Sequence, residues 1–123
     1  MSDIRPAMDR LNEVVENAEA AFLFTGGPVW AEIESDGLAF SYDRAGKQWG
    51  LFIRRPPAGP TRWREHSVEN KCAMVAAFPA LRLAMIEAHQ KREKLVDTAT
   101  LAATRFVKDH SAAMDSHGTG SRA

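Results

Sequence analysis

Apolar residues recur at helical spacing over the first stretch of the chain. Ile4, Met8, Leu11, Val15, Ala18 and Phe22 are separated by four, three, four, three and four positions, which places all six on one face of a helix. The predicted helix runs from Asp3 to Leu23, with Asp3 as N-cap, Pro6 in the first turn where a missing N–H costs nothing, and Glu13, Glu16 and Glu19 on the opposite side. Thr25-Gly26-Gly27-Pro28 ends it: glycine accepts a left-handed C-cap and proline cannot continue the hydrogen bonding.

The period then changes from helical to alternating. Val29–Ser35, Leu38–Asp43 and Gln48–Arg55 read as three strands of an antiparallel meander. Asp36-Gly37 is a two-residue hairpin signal that pairs Ser35 with Leu38, Ile33 with Phe40 and Ala31 with Tyr42. A second turn at Arg44-Ala45-Gly46-Lys47 is expected to pair Asp43 with Gln48, and so Tyr42 with Trp49, Phe40 with Leu51 and Leu38 with Ile53. Both turns put the large apolar side chains on one face, an agreement that a slip of one residue would destroy.

Pro56-Pro57-Ala58-Gly59-Pro60 closes the sheet with a stiff connection. Ser67 is then a good N-cap for a short helix whose expected buried stripe is Val68, Cys72 and Val75. Pro79 breaks or restarts the helix. From there to about Lys108, Leu81, Met85, Ala88, Leu95, Ala99, Ala102 and Phe106 keep a four-three rhythm interrupted only at Arg92. The expected fold is therefore α+β: an N-terminal helix, a three-stranded antiparallel β-meander, a short helix and a long C-terminal helix. A single domain is assigned to 1–108 and a flexible tail to 109–123.

Composition adds bounds. The apolar share of 45% and charged share of 26% over 123 residues are ordinary globular values. A single cysteine, Cys72, excludes an intrachain disulfide and favours a reducing compartment. With no apolar run long enough to span a bilayer and no basic-then-apolar leader, a cytoplasmic protein is expected. The formal net charge is zero, but residues 1–43 hold two basic against nine acidic side chains, and residues 54–94 hold nine basic against four acidic. Such an asymmetry either steers a partner or is neutralised within the fold.

Candidate chemistry is sparse. His66 and Glu69, three residues apart with Cys72 one turn on, are the nearest approach to an acid–base pair. The other histidines, His89, His110 and His117, are scattered without zinc-ligand spacing. The glycines after the first helix follow a helix and precede a strand, the reverse of a phosphate-binding loop. No catalytic, cofactor or metal site is assigned, and the expectation is a non-enzymatic interaction protein: a regulator, inhibitor or assembly factor, including those of phage or mobile-element type.

Two surfaces are candidates for such a role. The outer sheet face carries Trp30, Glu32, Phe52 and Arg54 around smaller residues, as a protein-docking site would. A basic loop, Arg54, Arg55, Arg62, Trp63, Arg64 and Lys71, combines cations with an aromatic ring and is the alternative, an anionic-partner or nucleic-acid surface. Against these stand a covered sheet face and a tryptophan folded inward to anchor its loop. The end of the long helix, with Leu101, Phe106 and Val107, outruns anything the first helix can cover, so a homodimer seam or a self-assembling structural subunit is a further expectation.

Overall fold

The computed structural model describes residues 3–22 and 28–122, with side chains described through 115. The first helix, α1, spans Arg5–Ala21. Its N-cap is Ile4 and not Asp3 as expected, and no side chain caps it; Asp3 lies one residue further out, where its Oδ1 accepts from the Arg5 backbone N–H at 2.9 Å in a local turn. The predicted apolar face is the buried one at its centre and end. Val15 and Phe22 are enclosed and Leu11 packs against the core, whereas Ile4 at the start is exposed. The glycine C-cap expected at Gly26-Gly27 lies outside the described residues.

The sheet has four antiparallel strands in sequence order: β1 (Ala31–Ser35), β2 (Leu38–Ala45), β3 (Gln48–Arg54) and β4 (Thr61–Arg62). The first hairpin has the predicted register, Ala31 with Tyr42, Ile33 with Phe40 and Ser35 with Leu38. Asp36 and Gly37 both take positive φ, 51° and 77°, as a two-residue turn of this hand requires.

The second hairpin departs from its expected register. Ala45 pairs with Gln48, so the turn is the two-residue Gly46-Lys47 with Gly46 at φ 63°, and Tyr42 faces Leu51 while Phe40 faces Ile53. β2 is thus two residues longer than its apolar alternation indicates, because Arg44 and Ala45 continue the ladder beyond the last buried side chain. The slip is two residues, an even number, and for that reason every side chain keeps its predicted face. Tyr42, Phe40, Leu51 and Ile53 are all buried beneath the helices.

β4 and the 3-10 turn that follows it, Trp63–Glu65, were not expected. A two-residue strand has no period to read. It pairs Phe52 with Arg62 and Ile53 with Thr61, which delivers Trp63 to the place where the ladder stops.

The short helix α2 spans Val68–Ala76 and is capped as predicted, the Ser67 hydroxyl accepting from the Asn70 N–H at 3.2 Å. Its buried side differs from the expected stripe. Lys71 and Met74 are enclosed, Ala77 follows at its C-cap, Val68 and Val75 are half-buried, and Cys72 is exposed. The face is rotated because Lys71 buries its length against Trp63, a use of a lysine stem that apolar periodicity does not register.

The last helix, α3, spans Phe78–Arg122, with Pro79 in its first turn. It runs on past Lys108, where the helix was expected to end. Residues Met1–His89 form one compact unit and Gln90–Ala123 another. In the first, Leu81 and Met85 are fully buried and Ala88 packs on the core. In the second, every described side chain from 90 to 115 is exposed. Among the described residues, no single helix is long and apolar enough to cross a membrane.

The first unit is fastened at one carboxylate. Glu19, on the polar side of α1, accepts from the Leu51 backbone N–H at 2.7 Å and from the Trp63 indole N–H at 3.1 Å, both through Oε2. Leu51 lies one residue beyond the end of the β3–β4 ladder, so the acid takes the place of the absent strand partner. Gly50 is the space this requires: a Cβ there would stand 2.7 Å from Glu19 Oε2 and 3.2 Å from its carboxyl carbon. Two stability measurements test the arrangement. Glu19→Ala, which strands two buried donors, is expected to destabilise the fold by roughly 2 kcal/mol in urea unfolding, and Gly50→Ala by about 1–2 kcal/mol because the carboxylate must leave its donors. In the double variant the two losses should fail to add, since without the acid the alanine methyl meets only the end of the Arg62 side chain, 3.3 Å away and able to move.

Candidate functional site

On the outer sheet face the cross-strand register brings Glu32, Ser41 and Phe52 into one row and Glu34, Ala39 and Arg54 into the next. Arg54 reaches diagonally over the central strand to Glu32, its Nε donating to Oε2 at 2.9 Å and its Nη2 to Oε1 at 2.6 Å; Glu34 is 3.9 Å from the same guanidinium. A fork of this kind needs low ground to lie across, and Ala39 and Ser41 provide it, both nearly inaccessible. The Arg54 guanidinium beside Glu32 holds that carboxyl below the usual glutamate range, the donated hydrogen bonds being the main cause.

Phe52 is only 6% exposed, with the Arg62 guanidinium 5.3 Å from its ring centroid. Of the two aromatics placed on this face, Trp30 alone is open, at 53%. The face therefore presents one exposed indole beside a charged fork rather than a continuous apolar patch.

The basic loop is largely occupied within the fold. Trp63 turns inward, 3% exposed, and its ring is flanked by Arg64 at 5.0 Å and Lys71 at 5.6 Å. Arg64 also pairs with Glu16 at 2.8 Å, and the Lys71 ammonium donates to Asn12 Oδ1 at 3.0 Å. Arg62 reaches Gln48 Oε1 at 3.4 Å. Arg54 is committed to Glu32, and Arg55 remains as an exposed cation. The acidic N-terminal helix thus meets the basic segment through one ion pair, Glu16–Arg64, and through the Lys71–Asn12 and Trp63–Glu19 hydrogen bonds, in neither of which opposite charges meet.

His66 and Glu69 do not form a pair. The His66 ring sits between Thr61 and Asn70, with Nε2 2.6 Å from Thr61 Oγ1 and Nδ1 3.3 Å from Asn70 Nδ2. With the amide donating to Nδ1, Nε2 carries the proton and donates to the threonine. The ring ties β4 to the first turn of α2, while Glu69 is exposed. Among the described residues, no group of three histidine, cysteine, aspartate or glutamate side chains converges on a common point.

The surface with the most apolar side chains in the open is α3 beyond residue 90. Leu95 is 71% exposed and Phe106 68%, and Val96, Leu101, Val107 and Met114 are all exposed as well. At 100° per residue, Leu95, Val96, Ala99, Ala102, Ala103, Phe106, Val107, Ala113 and Met114 fall on one side and Leu101 on the other. The Phe106 ring stacks on His110 one turn later, at 5.9 Å and 9° between planes. Periodicity located this stripe, but not that it stands open along its whole described length.

No protein-family model, curated protein or solved structure matches the chain.

The Glu32–Arg54 fork makes a pH prediction. A carboxyl whose pKa is depressed by folding stabilises the native state above its unfolded value, near the ordinary 4.5, and loses that contribution as pH falls through the native value. Wild type should therefore exceed Glu32→Gln in unfolding free energy at neutral pH. The gap should close in acid, below the ordinary glutamate pKa, when denaturation curves of the two proteins are compared across that range.

Proposed function

We propose that this protein is a non-enzymatic interaction protein, a regulator, inhibitor or assembly factor that works by occupying another chain, and that its principal binding surface is the apolar stripe of α3. The observation that carries the reading is the unbroken exposure of residues 90–115 together with six large apolar side chains in that stretch. Most helices in folded proteins owe their stability to packing of an amphipathic face, not to intrinsic propensity. A helix of this length with its apolar side unpacked is half of an interface.

The outer sheet face is the second docking surface, favoured by the open indole of Trp30 at its border and the half-buried Glu32–Arg54 fork beside it. The nucleic-acid alternative has less support. Arg54, Arg64 and Lys71 already have Glu32, Glu16 and Asn12 as partners, and Trp63 has no open face on which an unpaired base could stack.

Capture experiments on the full chain test the choice of surface. Leu95→Glu combined with Phe106→Glu is expected to abolish stripe-dependent association while leaving the unfolding curve of the first unit unchanged, because both side chains are exposed. Association unaffected by these changes but lost in Trp30→Ser would move the function to the sheet face.

A further inference from the structure

The charges on the stripe bear on what covers it. In heptads, Arg92, Ala99, Phe106 and Ala113 share one row, and Leu95, Ala102 and Asp109 share the neighbouring one. Arg92 and Asp109 are the charged members of these two rows between 92 and 113, and they are opposite in sign. They stand about 26 Å apart along the helix at 1.5 Å per residue. Between them the order is large, small, small, large: Leu95, Ala99, Ala102, Phe106.

We propose that the occupant of the stripe is a second copy of this chain, packed antiparallel about a two-fold axis passing level with Thr100 and Leu101. This rests on the reading of the stripe as the binding surface. In a parallel pair each heptad row meets itself, so Arg92 would face the second copy's Arg92, and Asp109 its Asp109. In an antiparallel pair each row meets the other. Arg92 then faces the second copy's Asp109 at both ends of the contact, Leu95 faces its Phe106, and Ala99 faces its Ala102.

Every apposition in the antiparallel arrangement is complementary in charge or volume. The alanine waist, widened by Ala103 alongside, lets the two backbones approach closely, and the larger side chains fill the space on either side. A two-fold contact uses the same patch twice, so the near mirror symmetry of the order from Arg92 to Asp109 is the property such a contact demands. The same register sets Val96, and no cation, level with the second copy's Arg105.

The test uses the full chain in sedimentation equilibrium. Wild type is expected to associate to twice its mass of 13.6 kDa. Arg92→Asp and Asp109→Arg, which each set like charges opposite one another at both ends, should each weaken association about tenfold, a change equivalent to ~1.4 kcal/mol. The double variant, carrying the swapped pair, should restore it. In a parallel dimer neither single change alters the number of like-charge contacts, so association indifferent to all three variants overturns the orientation. A wild type that stays monomeric at its highest soluble concentration overturns the second copy as occupant. If that monomer still captures another protein through Leu95 and Phe106, the stripe stands as the binding surface and only its occupant changes.

Discussion

The Glu19 carboxylate joins three parts of the first unit at a single oxygen. It arises from α1, accepts the backbone N–H of Leu51 where the β3–β4 ladder runs out, and accepts the indole N–H of Trp63. A carboxylate acceptor shared by two buried donors is worth more than a neutral one, and losing it leaves both donors without a partner. Much of the local design follows. Residue 50 is glycine because the acid passes within 2.7 Å of where a Cβ would be, and Trp63 is buried because its one polar atom is satisfied there. Tyr42, on the core face nearby, has its hydroxyl pKa raised by burial and then by the Glu19 charge, so this corner keeps the phenol neutral.

Two ion pairs, Glu16–Arg64 and Glu32–Arg54, join the acidic and the basic segments. Glu16 takes Arg64, and Asn12 takes Lys71; both cations also lie against the Trp63 ring. The Glu16–Arg64 pair is exposed and contributes on the order of 0–1 kcal/mol, so these contacts matter less as stabilisation than as orientation. They set which side of α1 faces the loop after the sheet. Lys71 is the exception, since its burial is tolerable only while Asn12 and the indole hold the ammonium.

How much of this was legible in the sequence follows from what each feature encodes. The first helix, the core face of the sheet and the Ser67 cap rest on periods and capping chemistry that a single chain displays, and they are where the pattern put them. The second hairpin was displaced by two residues because Arg44 and Ala45 pair through backbone alone, with no buried side chain to announce them. β4, the burial of Lys71 and the role of Glu19 are long-range. Glu19 meets partners 32 and 44 residues away, and nothing in the spacing of acids along α1 distinguishes it from Glu16. Likewise the Glu32–Arg54 fork was visible only as two members of one face. That they would close over Ala39 and Ser41 depends on the diagonal offset the register creates.

The four-three rhythm of the last helix shows why a pattern and its burial must be argued separately. Leu81, Met85 and Ala88 obey it and pack in the core of the first unit; Leu95, Ala99, Ala102 and Phe106 obey it equally and are exposed. If the second set served only to prolong a helix, a polar surface would do so at no cost in exposed apolar area, and propensity would favour more Ala, Glu and Lys over Val96, Phe106 and Val107. The chain instead keeps large apolar side chains at the two ends of the stretch and small ones in its middle, with an arginine and an aspartate just beyond. Random surface composition has no cause to produce that symmetry, whereas the proposed contact of the stripe with its own copy in reverse would account for it.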